Sequence, residues 1–484
     1  MMKLSQIAAA ISAKHVGEDA TFVSVGADSR NIQAGQLFVA LKGDHFDGHS
    51  FAGEAIAQGA AAVMCNADTQ IDSAKTAQPA LIVKDTYAAL GQLAAFWRSQ
   101  FKLPLIAVTG SNGKTTVKEM LTSILQMATK NADQVLATQG NLNNHIGMPM
   151  TLLKLRAEHQ FAVIEMGMNH KGEIDYLSRI AKPNVAIINN AGNAHIGELG
   201  SLKAIAEAKG EIFVGLSENG TAVINADDDF VGYWKSLLAA QTSVKKIITF
   251  GLKGAADVGA TYTLQAGQSL IHLRTPQGSA EITLSAPGVH NVRNALAAAA
   301  GAFAVGATLE NIKAGLEQYA GVKGRLQYLK GLKNAVVIDD TYNANPMSMK
   351  AAIDVLATSQ GKKWLVLGDM GELGETAIAM HSEVGQYAAA ANIDGLFTLG
   401  KMSNAMTEAF NQTNKTLGKV AKAQHFSSLE SLHMALAPIM QTDSTVLIKG
   451  SRFMAMERVV QLLTPAALHI NKTKQAAQQQ AEAH

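Results

Sequence analysis

One cysteine, Cys65, in 484 residues excludes any internal disulfide framework. It reads as a small buried apolar residue, and a lone thiol suits a reducing compartment. A dominant charge sign is missing too. Lys and Arg number 41 against 39 Asp and Glu, a formal +2 with no long basic run, which argues against a dedicated nucleic-acid binder and leaves local positive sites for anionic ligands. No apolar stretch approaches the roughly 18 residues that cross a bilayer. Met1 to Ser12 reads as an amphipathic helix rather than a secretory signal, so the expectation is a cytoplasmic protein without membrane insertion. Hydrophobic content of 48% is ample for burial, and the length suggests about three domains.

The most informative stretch is Ala107-Val-Thr-Gly-Ser-Asn-Gly-Lys-Thr-Thr116, where the apolar strand Leu105 to Val108 runs into a glycine-rich turn and then a helical pattern. Gly110 and Gly113 let the backbone of Ser111 and Asn112 turn tightly and aim N–H groups at phosphate oxygens. Lys114 can reach the β- and γ-phosphates, and Thr115, followed by Thr116, can ligate Mg²⁺. A standard Walker loop carries glycine where this chain has Val108, so the loop is a shorter variant. A chance Gly-Lys-Thr in a surface turn would lack the flanking strand and helix. ATP or GTP binding follows.

Residues 1 to 84 alternate short strands (Phe22 to Val25, Leu37 to Leu41, Ala61 to Met64) with a helix from Phe51 to Gln58, a small N-terminal α/β domain. Helix Tyr87 to Gln100 opens a central P-loop parallel-sheet domain, 85 to 321, with strands Phe161 to Ile164, Val185 to Asn189 and Ala222 to Asn225. Polar–apolar alternation from Thr261 to Leu284 predicts antiparallel hairpins on that domain. Gly321-Val-Lys-Gly324 reads as a linker into a C-terminal Rossmann-like, doubly wound α/β domain, 322 to 484, with strands Ala335 to Ile338, Trp364 to Leu367, Leu396 to Leu399 and Val446 to Ile448. Asn471 to His484 reads as a frayed tail.

Glu165 follows a strand, where parallel sheets bind ligands, and is a candidate Mg²⁺ ligand; the alternative is a surface glutamate. His195, beyond another strand, is either a second metal ligand or a solvated loop histidine. Lys209, in Glu207-Ala-Lys-Gly-Glu211, reads from its residues alone as a helix-surface charge paired with a glutamate. Asn291 and Asn294 put two amides on one helix face, able to read an adenine edge, though Asn291 is equally a helix cap. Arg325 can swing onto a γ-phosphate. Asp339-Asp-Thr-Tyr-Asn-Ala-Asn-Pro346 ends a strand with two carboxylates and two amides.

In the order of its segments the chain resembles the Mur ligases of peptidoglycan synthesis over almost its whole length. The segments are Asp28-Ser-Arg30, Leu37 to Gly43, Asp47-Gly-His49, the phosphate loop, Gly140-Asn-Leu-Asn-Asn144, Glu165-Met-Gly167, Ala208 to Phe213, His290-Asn291, Asp339 to Pro346, Leu367 to Gly374 and Lys449-Gly-Ser-Arg452. The resemblance implies two Mg²⁺ ions. Thr115 and Glu165 would hold the first; His195 and Lys209, carried as a CO₂-derived carbamate, would help hold the second. It implies nucleotide contacts at Asn291, Asn294, Arg325 and Asp340, the last at the ribose. It implies a uridine-diphosphate end on the first domain near Ser29, Arg30, Asp47 and His49, and a sugar-peptide facing Asn143 and Asn144, with Tyr342, Asn343 and Asn345 as further substrate contacts. Lys449 and Arg452 are candidates for the carboxylate of the incoming dipeptide.

Within the family, Tyr-Asn-Ala-Asn-Pro, Gly-Asp-Met-Gly-Glu-Leu-Gly and the absence of Asp-Asn-Pro-Arg resemble the branch whose partners are UDP-N-acetylmuramoyl-tripeptide, D-Ala-D-Ala and ATP. The implied reaction phosphorylates the tripeptide carboxylate and passes the acyl group to the dipeptide amine, in a monomer whose third domain closes about hinges near residues 85 and 321. Two rivals are a folylpolyglutamate synthetase, which shares the loop but lacks a uridine-binding first domain, and a nucleotide-switched regulator, for which the guanine-reading Asn-Lys-x-Asp is absent.

Overall fold

The computed structural model describes residues 1–44, 46–67, 79–192, 196–241, 244–265 and 267–465; the expected tail from Asn471 lies outside them. Three sheets organise the chain. The first has five strands in the spatial order 14–16, 80–83, 62–66, 36–39, 24–26, all parallel except the first. Its middle strands are the apolar runs Ala62–Asn66 and Ala80–Val83, because a parallel strand covered on both faces has no solvent side to mark with polar residues. The amphipathic start is shorter than expected. A strand, Met2–Lys3, pairs with Thr21–Phe22, and the helix is confined to Leu4–Ala10.

The central sheet has nine strands, in the order 278–284, 268–275, 258–265, 244–251, 220–225, 185–188, 105–109, 161–165, 135–137. The expected hairpins are present at one edge, where Pro276 and Gln277 form the two-residue turn between Thr275 and Gly278. Leu105–Thr109 lies between two parallel neighbours, so the turn that follows it opens at the carboxyl edge beside the ends of Phe161–Glu165 and Val185–Ile188. Helix Lys114–Thr129 runs back across one face with Val289–Ala304 beside it. The third sheet, 327–330, 336–340, 444–449, 362–368, 395–399, 422–426, is parallel but for its first strand, with helices on both faces, the doubly wound arrangement expected.

The cores are not divided as the sheets are. One apolar cluster extends from Met2 and Leu37 in the first unit through helix Thr86–Ser99 to Ile164, Ile188 and Trp234 in the second. The expected hinge near residue 85 therefore meets continuous packing, and Asp85 caps that helix through Tyr87 and Ala88. The third unit keeps two clusters of its own. Gly321 and Gly324 in its linker have φ of +84° and +72°. Cys65 is buried, and burial pushes its thiol up to about 11, as suits a packing residue. Among the described residues no helix is long and apolar enough to cross a membrane.

Helix Leu309–Gln318 braces the loop-bearing helix at close range. Ser123 Oγ donates to Gly315 O at 2.7 Å, and a Cβ on Gly315 would fall 2.3 Å from Ile124 Cα. Gly315→Ala is therefore expected to cost about 1–3 kcal/mol by forcing the helices apart. Thermal unfolding checks it; a midpoint within one degree of the parent would show that the contact yields freely.

Candidate active site

Gly110 (φ +157°) and Gly113 (φ +79°) shape the turn between the central strand and helix Lys114–Thr129. A Cβ on Gly113 would lie 2.3 Å from Asn294 Oδ1 and 2.6 Å from Asn189 Nδ2, so no side chain fits there. The turn is held by amides. Asn189 Nδ2 uses both its hydrogens, to Asn112 O and to Asn294 Oδ1, each at 2.9 Å. Asn294 Nδ2 donates to Asn291 Oδ1 (3.2 Å), and Asn291 Nδ2 to Pro287 O (2.9 Å). Asn190 accepts from Ser111 N through its carbonyl (3.0 Å) and from Asn112 N through Oδ1 (2.9 Å). From the third unit, Asn345 Nδ2 donates to Asn112 Oδ1 at 2.7 Å while its own Oδ1 caps helix Pro346–Ala357. Asn291 stands inside its helix, past the cap residue Gly288.

Below the loop the charged groups converge. Thr115 Oγ1 donates to Glu165 Oε2 at 2.9 Å, and Asn143 Nδ2 to Glu165 Oε1 at 2.7 Å; Glu165 is buried. Lys114 Nζ donates to Gly110 O, and burial lowers its ammonium despite the Glu165 charge. Arg325, stacked 4.2 Å from the Tyr342 ring centroid, donates through Nη2 to Thr115 Oγ1 at 3.1 Å. A hydroxyl and a carboxylate this close are hard oxygen donors that fit Mg²⁺, with ligand oxygens completing its shell, and the guanidinium shows that positive charge is accommodated there. Among the described residues no cluster of three His, Cys, Asp or Glu side chains suits a metal. His195 lies outside the described residues.

Lys209 is not the surface charge its neighbours suggested. It is 1% exposed, and neither glutamate pairs with it: Glu207 faces Lys171 at 3.6 Å, and Glu211 accepts from Gly172 N and Asp175 N. Burial, then the charge of Lys114, pushes its ammonium well below the usual lysine range.

Two cavities flank the loop. One, of about 740 Å³, is lined by Asn189, His290, Asn291, Asn294 and Tyr319; the other, a cleft of about 1120 Å³, by Lys114, Asn143, Glu165, Tyr342, Asn343 and Arg452. They meet at Asn112, Gly113, Arg325, Asp340 and Lys449. Lys449 Nζ lies 2.7 Å from Asp340 Oδ2 and donates to Asn343 O at 2.8 Å, so its charge is already matched; burial nonetheless raises the Asp340 carboxyl. Arg452 is exposed at the cleft, paired with Glu457 at 3.1 Å.

The remaining candidates stand apart. Neither Ser29, Arg30, Asp47 nor His49 lines either cavity. Arg30 forks onto Asp28 through two 2.8 Å contacts, and His49 donates from Nδ1 to Asp47 while its Nε2 accepts from Asn66 N. Asn144 Oδ1 accepts from Ile146 N and Gly147 N. Asn189, Asn190, His290 and Tyr319 were not among the sequence candidates. For the two asparagines the strand-end rule applied to Glu165 was signal enough, since they directly follow Val185–Ile188.

The fold and the loop define a P-loop enzyme built from three α/β units, with a phosphate-binding turn between two ligand-sized cavities. Comparison with known proteins sharpens this. The Mur ligase middle domain model matches residues 108–302, the Mur ligase glutamate ligase domain 324–452, and the Mur ligase family catalytic domain 21–98. The chain is 42% identical over 469 residues, 95% of its length and 98% of the relative's, to the UDP-N-acetylmuramoyl-tripeptide--D-alanyl-D-alanine ligase of Haemophilus influenzae. Among solved structures it is similar to the UDP-N-acetylmuramoylalanyl-D-glutamyl-2,6-diaminopimelate--D-alanyl-D-alanyl ligase of Acinetobacter baumannii, with TM-score 0.82, 38% identity and 95% and 97% of the two chains covered. It is also similar to the MurF ligase of Thermotoga maritima in complex with ADP, with TM-score 0.78, 28% identity and 91% and 96% coverage. The chain belongs to the Mur ligase family and is an ATP-dependent ligase that forms amide bonds.

His290 gives the site a pH signature. Burial, then the charges of Lys449 and Arg293, pushes its imidazole down from 6.5 to about 4. The unfolded chain takes up this proton first as pH falls, so the contribution of His290 to stability is complete above about pH 6.5 and is lost progressively towards pH 4. Thermal midpoints between pH 7 and 4 should fall less steeply in His290→Gln than in the parent. Parallel curves would contradict the assignment.

Proposed function

We propose that this chain joins D-Ala-D-Ala to UDP-N-acetylmuramoyl-tripeptide, giving UDP-N-acetylmuramoyl-pentapeptide, ADP and phosphate. The observation that carries this is the meeting of the two cavities at the phosphate loop, taken with the near full-length likeness to the H. influenzae ligase. By likeness to the A. baumannii enzyme, the third peptide residue is 2,6-diaminopimelate. A folate-type ligase of the same superfamily would leave the five-stranded first unit without a role.

ATP occupies the smaller cavity, its base toward Asn291 and Asn294 and its ribose toward Asp340, and its phosphates cross Gly110 to Thr116 into the cleft. The tripeptide carboxylate waits there beside Asn143. Approach of one anion to another is the difficulty. Lys114 and the N–H groups at the start of its helix oppose that repulsion, and Arg325 moves from Thr115 to the γ-phosphate as it is transferred; each such group typically contributes several kcal/mol. Thr115 and Glu165 would hold one Mg²⁺, and His195 with Lys209 as its carbamate would hold a second; ions bound there would add charge neutralisation. Lys209 suits that modification because only a neutral amine takes up CO₂, and its burial disfavours the ammonium. The amine of D-Ala-D-Ala then attacks the acyl phosphate, with its carboxylate held by Arg452 and, should the Asp340 pair open, by Lys449. Tyr342, Asn343 and Asn345 line the cleft, and the first unit takes the uridine diphosphate near Ser29 and Arg30, with Asp47 and the buried His49 side chain bracing that surface through each other and Asn66 N. Residues 1–84, 85–321 and 322–484 act as the three functional units of a cytoplasmic monomer, and the third closes to keep water from the intermediate.

Transfer of ¹⁸O from the labelled tripeptide carboxylate into inorganic phosphate, dependent on both co-substrates, is the expected result. Release of unlabelled phosphate only would refute the reaction. Thr115→Val and Glu165→Gln should each lower kcat by about 10²–10³-fold. Native mass spectrometry should show one added CO₂ that disappears on withdrawal of bicarbonate and never forms in Lys209→Ala.

A further inference from the structure

Gly167 lines both the reaction cleft and a second pocket of about 270 Å³, whose other walls include Asn144, His145, Lys171, Gly172 and Tyr176. Its place in the fold is between the first unit and the loop. Toward the loop, Gly167 N donates to the carbonyl of Asn143, the residue whose amide holds Glu165. Toward the first unit, the His145 ring packs 5.7 Å from that of Tyr87, whose hydroxyl donates to Lys42 O at 2.8 Å. A substrate anchored on the first unit with its carboxylate at the loop passes this pocket.

The charges around it are unevenly committed. Glu173 accepts from Asn169 N at 2.7 Å and contacts His170 at 3.1 Å, and Glu211 caps Gly172 N and Asp175 N. Lys171 has only a long contact, 3.6 Å to Glu207, and is 69% exposed. Asn144 spends its Oδ1 on the backbone and keeps its Nδ2 hydrogens. The pocket therefore presents an ammonium and an amide donor to an anion. Its volume is below the roughly 300–1,000 Å³ of drug-sized ligand sites, room for one amino-acid fragment and not for a nucleotide.

We propose that this pocket receives a non-reacting carboxylate of the peptide arm, Lys171 supplying the charge and Asn144 a hydrogen bond. The inference rests on the proposed function and adds a specificity site to it. In an alanyl-glutamyl-diaminopimelyl chain, the glutamyl and diaminopimelyl residues each carry one carboxylate outside both the amide chain and the reaction, and either fits this chemistry.

Steady-state kinetics of the full chain decide the matter. Lys171→Ala should raise KM for the UDP-N-acetylmuramoyl-tripeptide about five- to tenfold, with kcat and the KM values for ATP and D-Ala-D-Ala retained, and Lys171→Arg should recover most of the loss. Substrates carrying a carboxamide at the glutamyl or at the diaminopimelyl position identify the source. One of them should raise the parent's KM by a similar factor and abolish the difference between parent and Lys171→Ala. UDP-N-acetylmuramate, which lacks the peptide, should inhibit both proteins with the same Ki. An unchanged KM in Lys171→Ala, a Ki that rises in step with it, or full sensitivity to both amidated substrates would each overturn the proposal. Absence of turnover in the parent enzyme would overturn the proposed function instead.

Discussion

The structure depends on a chain of asparagine amides that holds the phosphate loop open. The turn is fixed from outside: Asn190 takes the N–H groups of Ser111 and Asn112, and Asn189 and Asn190 both donate to Asn112 O, which leaves the N–H groups at the start of helix Lys114–Thr129 for a ligand. Asn189, Asn190, Asn291 and Asn294 do this from a strand end and from an alanine-rich helix, and Asn345 does it from the other side of the cleft. Such a network is worth most when every member is satisfied, and here the buried Asn112 Nδ2 is left without a partner among the described residues. The glycines follow from it: at Gly113 the amides approach so closely that a methyl group has no room.

The same arrangement explains why the third unit matters to the chemistry. Its hydrogen bonds to the central unit include Asn345 to Asn112, Arg325 to Thr115, and Gly197 N to Glu372 O, while Met347 and Val355 close on Gly192 and Gly288. Polar contacts of this kind exchange readily for water or ligand, whereas an apolar interface of similar extent would not. The third unit thus contributes Arg325 and Asn345 to a site that lies at the carboxyl edge of the central sheet.

Much of the fold was legible because parallel strands buried on both faces leave runs such as Ala-Val-Ile or Leu-Val-Leu that no surface segment carries. The edge strands Lys14–Val16, Gln327–Lys330 and Lys422–Phe426 were not, since half of each faces solvent and none forms an apolar run. In the site, Gly110, Gly113, Lys114, Thr115 and Glu165 were legible because local backbone geometry dictates them. Lys209 was not. A lysine between two glutamates reads as solvated, and only tertiary packing shows both acids engaged elsewhere. Lys449 and Asp340 looked like separate ligand contacts because nothing local reveals that adjacent strands bring them to 2.7 Å.

The unbroken apolar cluster from Met2 to Leu238 has a thermodynamic consequence. Two topological units that share one interior lose it together, so the first two sheets constitute a single cooperative block. The last third keeps interiors of its own, the arrangement from which a separate unfolding transition follows. No one free energy of unfolding then describes the polypeptide, and ligands that bridge the two parts draw two transitions towards one.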